Sequence, residues 1–329
     1  MKIKLLMWML GILAFGYQGY AGPFDLIPLP VSVVKGEGEF LLGKETVIRH
    51  DAALEQEALM AAEMLEPALG YTLRTEVAGS SSESGMIRLQ LNQPNDLMTA
   101  AEGYVLKITP QKIVISANTA AGIFYGIQTL LQMAGESPRA VPAAVISDYP
   151  RFPYRGVHID VARHFMPYES LFPLIDQMAA HKFNVFHWHL VDDQGWRVEI
   201  KKYPKLTEVG AWRVDREDAH WNSRPLQKPG EKATYGGFYT QEQVRRLVKY
   251  ARERHITVIP EIEMPAHAMA ALAAYPELSC TGENLGVCPG GVWPITHIFC
   301  RERGNLPFSR EYPHRSHGTF PLYHYPCGR

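Results

Sequence analysis

The sequence has almost no net charge. Its 329 residues carry a formal net charge of −1, so no excess of lysine and arginine is present to attract phosphate groups. A nucleic-acid-binding role therefore has no support from charge. Small or neutral ligands suit this composition better.

Long apolar segments and cysteines are also scarce. The apolar run 5–15 is too short to cross the ~30 Å hydrocarbon core as a helix, so we expect no stable membrane insertion. With lysines before it and small residues after it, the segment 1–21 is typical of a signal peptide, which predicts export to the periplasm or the cell exterior. The four cysteines could pair in an exported chain, but they show no metal-ligand spacing. They are Cys280, Cys288, Cys300 and Cys327.

Residues 22–148 predict an α+β domain. Two amphipathic helical patterns, 51–65 and 119–133, alternate with short runs rich in β-branched residues. This order of elements fits a small antiparallel sheet with helices on it. The predicted strands are Val47–His50, Thr72–Val77, Met86–Leu91, Tyr104–Ile108 and Lys112–Ser116.

Residues 149–290 follow a different pattern, in which strands alternate with helices. Such alternation favours parallel βα units, as in a barrel or a doubly wound sheet. Thr240 followed by Gln243 predicts a capping box at the start of one helix. The predicted strands are Gly156–Ala162, Val185–Val191 and Ile256–Ile262, and the helix between the first two is Tyr168–His181.

Polar side chains follow each of these three strands. Arg163 follows the first strand, Asp192 and Asp193 follow the second, and the third is followed by Glu263 and, four residues later, by His267. Neighbouring parallel strands end at one edge, so these groups should converge. An arginine fork and carboxylates both bind hydroxyl groups, and a histidine beside a carboxylate can tune a nearby acid. A sugar site is therefore predicted.

Three segments carry a family resemblance: RGVHIDVARHF from Arg155, HWHLVDDQGWR from His187, and VIPEIEMPAH from Val258. They resemble glycoside hydrolase family 20, the exo-β-N-acetylhexosaminidases. The resemblance covers about residues 24–290 and implies an α+β domain followed by a (β/α)8 TIM-type barrel. Where the family usually has Pro-Gly-His, this chain has Pro-Ala-His at 265–267.

The resemblance also implies a role for several residues. Arg163 and Asp192 would bind the terminal non-reducing N-acetylhexosamine of a glycan, and Asp192 and His267 would support the catalytic acid through hydrogen bonds. Catalysis in this family is substrate-assisted and retaining, and it implies no metal or other cofactor. The acetamido oxygen of the substrate attacks the anomeric carbon, an aspartate orients it, and an adjacent glutamate protonates the leaving oxygen.

The catalytic Asp-Glu pair is missing from this chain, which contains no Asp-Glu dipeptide. Residues 291–329 have no helical or strand period and no aspartate. We therefore expect only about three βα units of an incomplete barrel, a truncated and inactive chain, and an aberrant, unstructured tail over 291–329. A reading-frame shift would explain the tail, and the alternative is a genuine Cys/His-rich metal patch.

Three other functions remain open. The first is a non-catalytic carbohydrate-binding protein that keeps Arg163 and Asp192. The second is a zinc-dependent barrel hydrolase, with His187 and His189 as ligands beside His267. The third is a retaining glycosidase that uses Glu261 and Glu263; a strand-end pair with one structural residue is preferred to it, because no second carboxylate can be placed against the pair. The sequence does not distinguish GlcNAc from GalNAc substrates and does not determine the oligomeric state.

Overall fold

The computed structural model describes residues 23–79, 84–92, 100–135 and 139–291. They divide into two compact units, separated between Arg151 and Phe152. The predicted signal peptide and the predicted tail, apart from Gly291, lie outside the described residues. Within the described ranges, no helix is both long and apolar enough to cross a bilayer.

The first unit is built on a seven-stranded sheet with two helices. The spatial order of the strands is β1, β7, β5, β6, β4, β2, β3. The elements in chain order are β1 (Ser32–Leu41), β2 (Val47–His50), α1 (Glu55–Leu69), β3 (Arg74–Val77), β4 (Met86–Leu91), β5 (Tyr104–Ile108), β6 (Lys112–Ala117), α2 (Ala120–Ala134) and β7 (Ala140–Asp148).

The prediction of a small antiparallel sheet is wrong, because the sheet is larger and mixed. Strand β2 is parallel to β3 and β4, and β4 is parallel to β6, while β5, β7 and β1 pair antiparallel. A helix between two strands returns the chain to the same end of the sheet, so α1 makes β2 and β3 parallel. The sequence analysis missed β1 and β7, since β1 is mostly exposed and contains two glycines and β7 contains Pro142.

Helix α2 lies against the sheet because two of its residues are glycine. A Cβ at Gly122 would meet the carbonyl oxygen of Gly103 at 2.5 Å, and a Cβ at Gly126 would meet the Ile115 side chain at 2.5 Å. Thr119 caps the helix by accepting a hydrogen bond from the Gly122 amide. The predicted helix 119–133 is therefore confirmed.

The second unit contains three parallel strands of the predicted barrel in one sheet. Strand β9 lies in the centre, with β8 on one side and β13 on the other. The elements are β8 (Gly156–Asp160), α3 (Leu171–Ala180), β9 (Val185–Asp192), β10 (Gly195–Trp196), α4 (Lys205–Glu208), β11 (Trp212–Arg213), β12 (Tyr235–Gly236), α5 (Gln241–Glu253), β13 (Thr257–Ile262) and α6 (Met269–Ala274).

Apolar and polar side chains of β9 lie on opposite faces of the strand. Phe186 and Trp188 are fully buried and stack with ring centroids 5.8 Å apart. The alternate residues His187 and His189 lie on the opposite face. The register pairs His189 with Asp160 of β8 and with Glu261 of β13, so polar groups from all three strands share that face.

Strand β8 ends two residues earlier than predicted. The carboxylate of Asp160 accepts hydrogen bonds from the amides of Ala162 and Arg163, both at 3.0 Å. These bonds turn the chain at the strand end, so Val161 and Ala162 belong to the turn. Arg163 is thereby directed toward β9.

The capping box of α5 generates a stability prediction. Thr240 Oγ1 accepts from the Gln243 amide, and the Gln243 side chain accepts from the Thr240 amide. Replacing Thr240 by alanine should lower the free energy of unfolding by about 1 kcal/mol, measured by chemical denaturation. Thr240→Ser keeps the hydroxyl and should change it little. Equal losses in both variants would contradict the role of the cap.

Candidate functional site

Arg163 forms the centre of the polar groups at the carboxyl edge of β8, β9 and β13. Its Nη2 lies 2.7 Å from Asp192 Oδ2, and its Nη1 donates to Asp160 Oδ2 at 2.8 Å. Burial alone would lower the pKa of the guanidinium, but the charges of Asp192 and Asp160 outweigh it and raise the pKa. The fork is therefore fixed and charged, with about a third of its side chain still exposed.

Asp192 and His189 lie directly beneath that arginine. The carboxylate of Asp192 is almost fully buried, and its Oδ2 is 3.4 Å from His189 Nε2. His189 Nδ1 is 3.3 Å from Arg163 Nη1. Burial opposes protonation of His189, but Asp192, Asp160 and Glu261 outweigh it and raise the pKa of the imidazole. These contacts hold the Arg163 side chain in place from below.

His267 reaches the same edge from the segment that follows β13. Its Nδ1 lies 3.1 Å from Asp193 Oδ2 and 3.5 Å from Asp192 Oδ1. The structure thus brings together the predicted residues Arg163, Asp192 and His267. The nearer carboxylate of His267 is Asp193, which also accepts from the Met269 amide at 3.1 Å.

The Pro-Ala-His segment places its unusual backbone angle at His267. The φ of His267 is +51°, whereas Ala266 does not have a positive φ. Alanine at 266 therefore meets no left-handed conformation that would require glycine. The departure from Pro-Gly-His does not prevent His267 from reaching the two aspartates.

The carboxyl groups of Glu261 and Glu263 are hydrogen-bonded to each other at the end of β13. Burial opposes ionisation of Glu261, but His189 and a hydrogen bond with Glu263 lower its pKa. Burial, together with Glu261 and Asp192, raises the pKa of Glu263. Of the two, Glu263 is therefore the carboxyl group that takes up a proton first as the pH falls. Retaining glycosidases need their two carboxyl groups about 5 Å apart with the sugar between them, so this hydrogen-bonded pair does not fit the retaining-glycosidase interpretation.

The zinc ligand set predicted from sequence is also wrong. His187 groups with His158 and Glu261, while His267 groups with Asp192 and Asp193. The imidazole of His189 lies with Glu261 and Glu263. His187, His189 and His267 therefore do not converge on one point.

Two fully buried arginines that the sequence analysis did not select hold the loops of this edge. Arg197 donates to the carbonyls of Val161 at 3.0 Å and Ala162 at 2.8 Å. Arg213 donates to the carbonyl of Arg163 at 2.6 Å. The Arg213 guanidinium also lies 4.3 Å from the ring centroid of Tyr235. The backbone that carries Arg163 is thus fixed from below.

The carboxylate of Glu217 neutralises part of the positive charge beneath the site. It accepts from Arg213 Nη2 at 2.9 Å and from Arg224 Nη1 at 2.8 Å, and His164 Nε2 is 3.3 Å away. Burial would raise the pKa of Glu217, but the hydrogen bonds from Arg224 and Arg213 and their charges lower it to about 2. Glu217 therefore links the chain between β10 and α5 to the base of the site.

The arrangement suits a neutral ligand with several hydroxyl groups. A fixed guanidinium fork and neighbouring carboxylates offer both donors and acceptors. The sequence analysis missed Asp160, whose spacing of three residues before Arg163 was the available signal. It also missed Glu217, which lies in a stretch without any period.

Both units of the chain are similar to known glycoside hydrolases. The family model "Glycosyl hydrolase family 20, catalytic domain" matches residues 152–302, and "Glycosyl hydrolase family 20, domain 2" matches residues 24–149. A β-hexosaminidase of Porphyromonas gingivalis is 41% identical over 298 residues, which cover 87% of this chain and 36% of that protein. The chain thus spans well under half the length of this relative.

Solved structures are similar to the chain over nearly its whole length. The N-acetyl-β-hexosaminidase of Streptomyces plicatus in complex with Thio-NAglucal matches with a TM-score of 0.76 and 32% identity. The match covers 91% of this chain and 57% of that one. The family 20 exo-β-N-acetylglucosaminidase of Vibrio harveyi in complex with N-acetylglucosamine matches with a TM-score of 0.74 and 31% identity. It covers 92% and 46% of the two chains.

Replacing Glu217 by glutamine should destabilise the second unit in a pH-dependent way. A carboxylate whose pKa is lowered by folding stabilises the protein above its unfolded pKa of about 4 and loses this effect as the pH falls toward 2. We expect the wild type to melt above Glu217→Gln at neutral pH, with the gap closing below about pH 4. The exposed neighbour Asp218 supplies the control, Asp218→Asn. A gap that stays constant with pH would count against this role.

Proposed function

The chain belongs to glycoside hydrolase family 20, and on that premise we propose that it carries the sugar-binding half of a β-N-acetylhexosaminidase site. The ligand would be the terminal non-reducing, β-linked N-acetylhexosamine of a glycan. The arginine fork of Arg163, fixed between Asp160 and Asp192, is the observation that carries this proposal. The predicted export of the chain would bring it into contact with glycans outside the cytoplasm.

The geometry around Arg163 supports binding of sugar hydroxyls. A guanidinium group can donate two parallel hydrogen bonds to a ligand. Removing such a group weakens binding more when the group is held rigidly. Asp160 and Asp192 hold the fork with ionic contacts of 2.8 and 2.7 Å. The N–H donors of Arg163 that remain exposed are therefore held in one orientation. This favours binding, because little side-chain entropy is lost when a ligand binds.

We further propose that Asp192 and His267 support the catalytic acid of the family when such an acid is present. His267 contacts Asp193 and Asp192, so its ring is oriented by two carboxylates. Such contacts fix the tautomer of a histidine and its orientation. This chain itself contains no Asp-Glu dipeptide, which favours binding of the sugar without hydrolysis.

Binding should depend on the shape of the Arg163 side chain as well as its charge. We expect Arg163→Lys to weaken N-acetylglucosamine binding by about tenfold or more, because charge-assisted hydrogen bonds contribute about 1.5–3 kcal/mol. Isothermal titration or ligand-observed NMR measures the Kd. The variant keeps a cation beside buried Asp192, so it should fold, and circular dichroism checks this. The matched control is Arg216→Lys, which changes an arginine paired with Glu231. Unchanged affinity in Arg163→Lys would overturn the proposed contact.

Turnover should be negligible even where the sugar binds. With an aryl N-acetyl-β-glucosaminide as substrate, we expect a rate at least about 10² to 10⁴-fold below that of the Porphyromonas gingivalis β-hexosaminidase, because no paired general acid is present. Release of the aryl group measures this rate. A rate similar to that of the relative would show that another residue of this chain supplies the acid.

A further inference from the structure

Three side chains from three adjacent strands converge below the sugar site. His187 Nε2 lies 2.7 Å from Glu261 Oε2, and His158 Nε2 lies 3.3 Å from the same oxygen. The two imidazole rings are in edge contact, with centroids 4.6 Å apart. We propose that His158, His187 and Glu261 form a binding site for a divalent transition metal that prefers nitrogen ligands, such as Zn²⁺.

The separations of the donor atoms fit such an ion. All three potential ligand atoms lie within 4.8 Å of one another. Tetrahedral zinc, with bonds of about 2.0–2.2 Å, needs its ligand atoms about 3.4 Å apart. The contact between Glu261 and His158 already has nearly this length, at 3.3 Å, and the 2.7 Å contact between Glu261 and His187 must widen by about 0.7 Å. Small side-chain rotations supply that movement, and the three backbones stay fixed by the strand register.

The ligand types favour this trio over two other groups on the same sheet. His189, Glu261 and Glu263 offer one nitrogen, and His189 already contacts Asp192 and Arg163. Asp192, Asp193 and His267 also offer one nitrogen. Two imidazoles with one glutamate are a known zinc ligand set that leaves a fourth position for water. All three ligand side chains are partly exposed, with 48%, 33% and 26% for His158, His187 and Glu261, so an ion can enter.

Metal binding would exchange two imidazole–carboxylate contacts for metal–ligand bonds. Each imidazole would present the lone pair of Nε2 to the ion, with its proton carried on Nδ1 or released to solvent, while Glu261 binds as a carboxylate. His158 and His187 form a register pair two residues before the pair of Asp160 and His189. The ion would therefore lie one layer below Arg163 and link β8, β9 and β13. Its expected effect is stabilisation of these strands, since a ligand that binds only the folded state raises the melting temperature.

Titration of the untagged chain with Zn²⁺ tests this site, with calorimetry and thermal unfolding as readouts. The wild type should bind one ion and melt at a higher temperature with Zn²⁺. His158→Ala and His187→Ala should each bind at least about tenfold more weakly, because even the loss of an outer-shell partner costs about 10 to 100-fold. Both variants should lose the thermal shift. The exposed His181, whose ring contacts the carbonyl of Gln177, supplies the control His181→Ala, which should behave like the wild type.

Three further results would overturn the proposal, and two of them need only the wild type. No binding by the wild type would overturn it. Loss of binding in His267→Ala with no loss in His158→Ala would assign the ion to the group around Asp192. Cobalt(II) added to the wild type should give visible bands of a tetrahedral site without thiolate charge-transfer absorption. Strong near-ultraviolet thiolate absorption would assign the metal to cysteines and contradict the proposed ligands.

Discussion

The second unit depends on one buried cation, the guanidinium of Arg197. Its five N–H groups are donated to five backbone carbonyls, and no carboxylate forms an ion pair with it among the described residues. Burial and the neighbouring Arg213 lower its pKa to about 10, so it stays charged at neutral pH. These carbonyls come from four separate segments, since Val161 and Ala162 share one turn, and satisfying one buried charge therefore requires all four segments to be in place. The partners are Val161, Ala162, Gln194, Ala211 and Gly237.

Two glycines make room for this guanidinium. A Cβ at Gly195 would lie 2.1 Å from the central carbon of the Arg197 guanidinium, and a Cβ at Gly236 would lie 2.0 Å from the carbonyl oxygen of Ala211. The segment Asp-Asp-Gln-Gly-Trp-Arg thus serves two purposes at once. Its first residue, Asp192, contacts Arg163, and its last residue orders the turn that carries Arg163. The chain between β10 and α5 is held to the same turn because Arg213 donates to the carbonyl of Arg163.

The sequence predicted the local elements well wherever side-chain period and capping decide them. Strands β2, β4 and β5 and the capping box at Thr240 are found as predicted, and so is the approach of Arg163, Asp192 and His267. Strand direction in the first unit was not predictable from period, since pairing depends on where α1 returns the chain. The role of Arg197 could not be predicted either. Its partners are backbone carbonyls, which every residue has, so the sequence contains no signal for them. The histidines showed alternation, but only the register across β8, β9 and β13 decides which of them meet.

His267, at the carboxyl edge, has a backbone conformation that is unfavourable for a residue other than glycine. The residue adopts a left-handed conformation, which costs a non-glycine residue free energy, and its imidazole contacts Asp193 and Asp192. Glycine at this position would relieve the backbone and would leave both carboxylates without their histidine. Stability and the proposed function of the site therefore place opposite demands on this one residue. Selection for a more stable chain would act against His267, and selection for the function of the site would retain it.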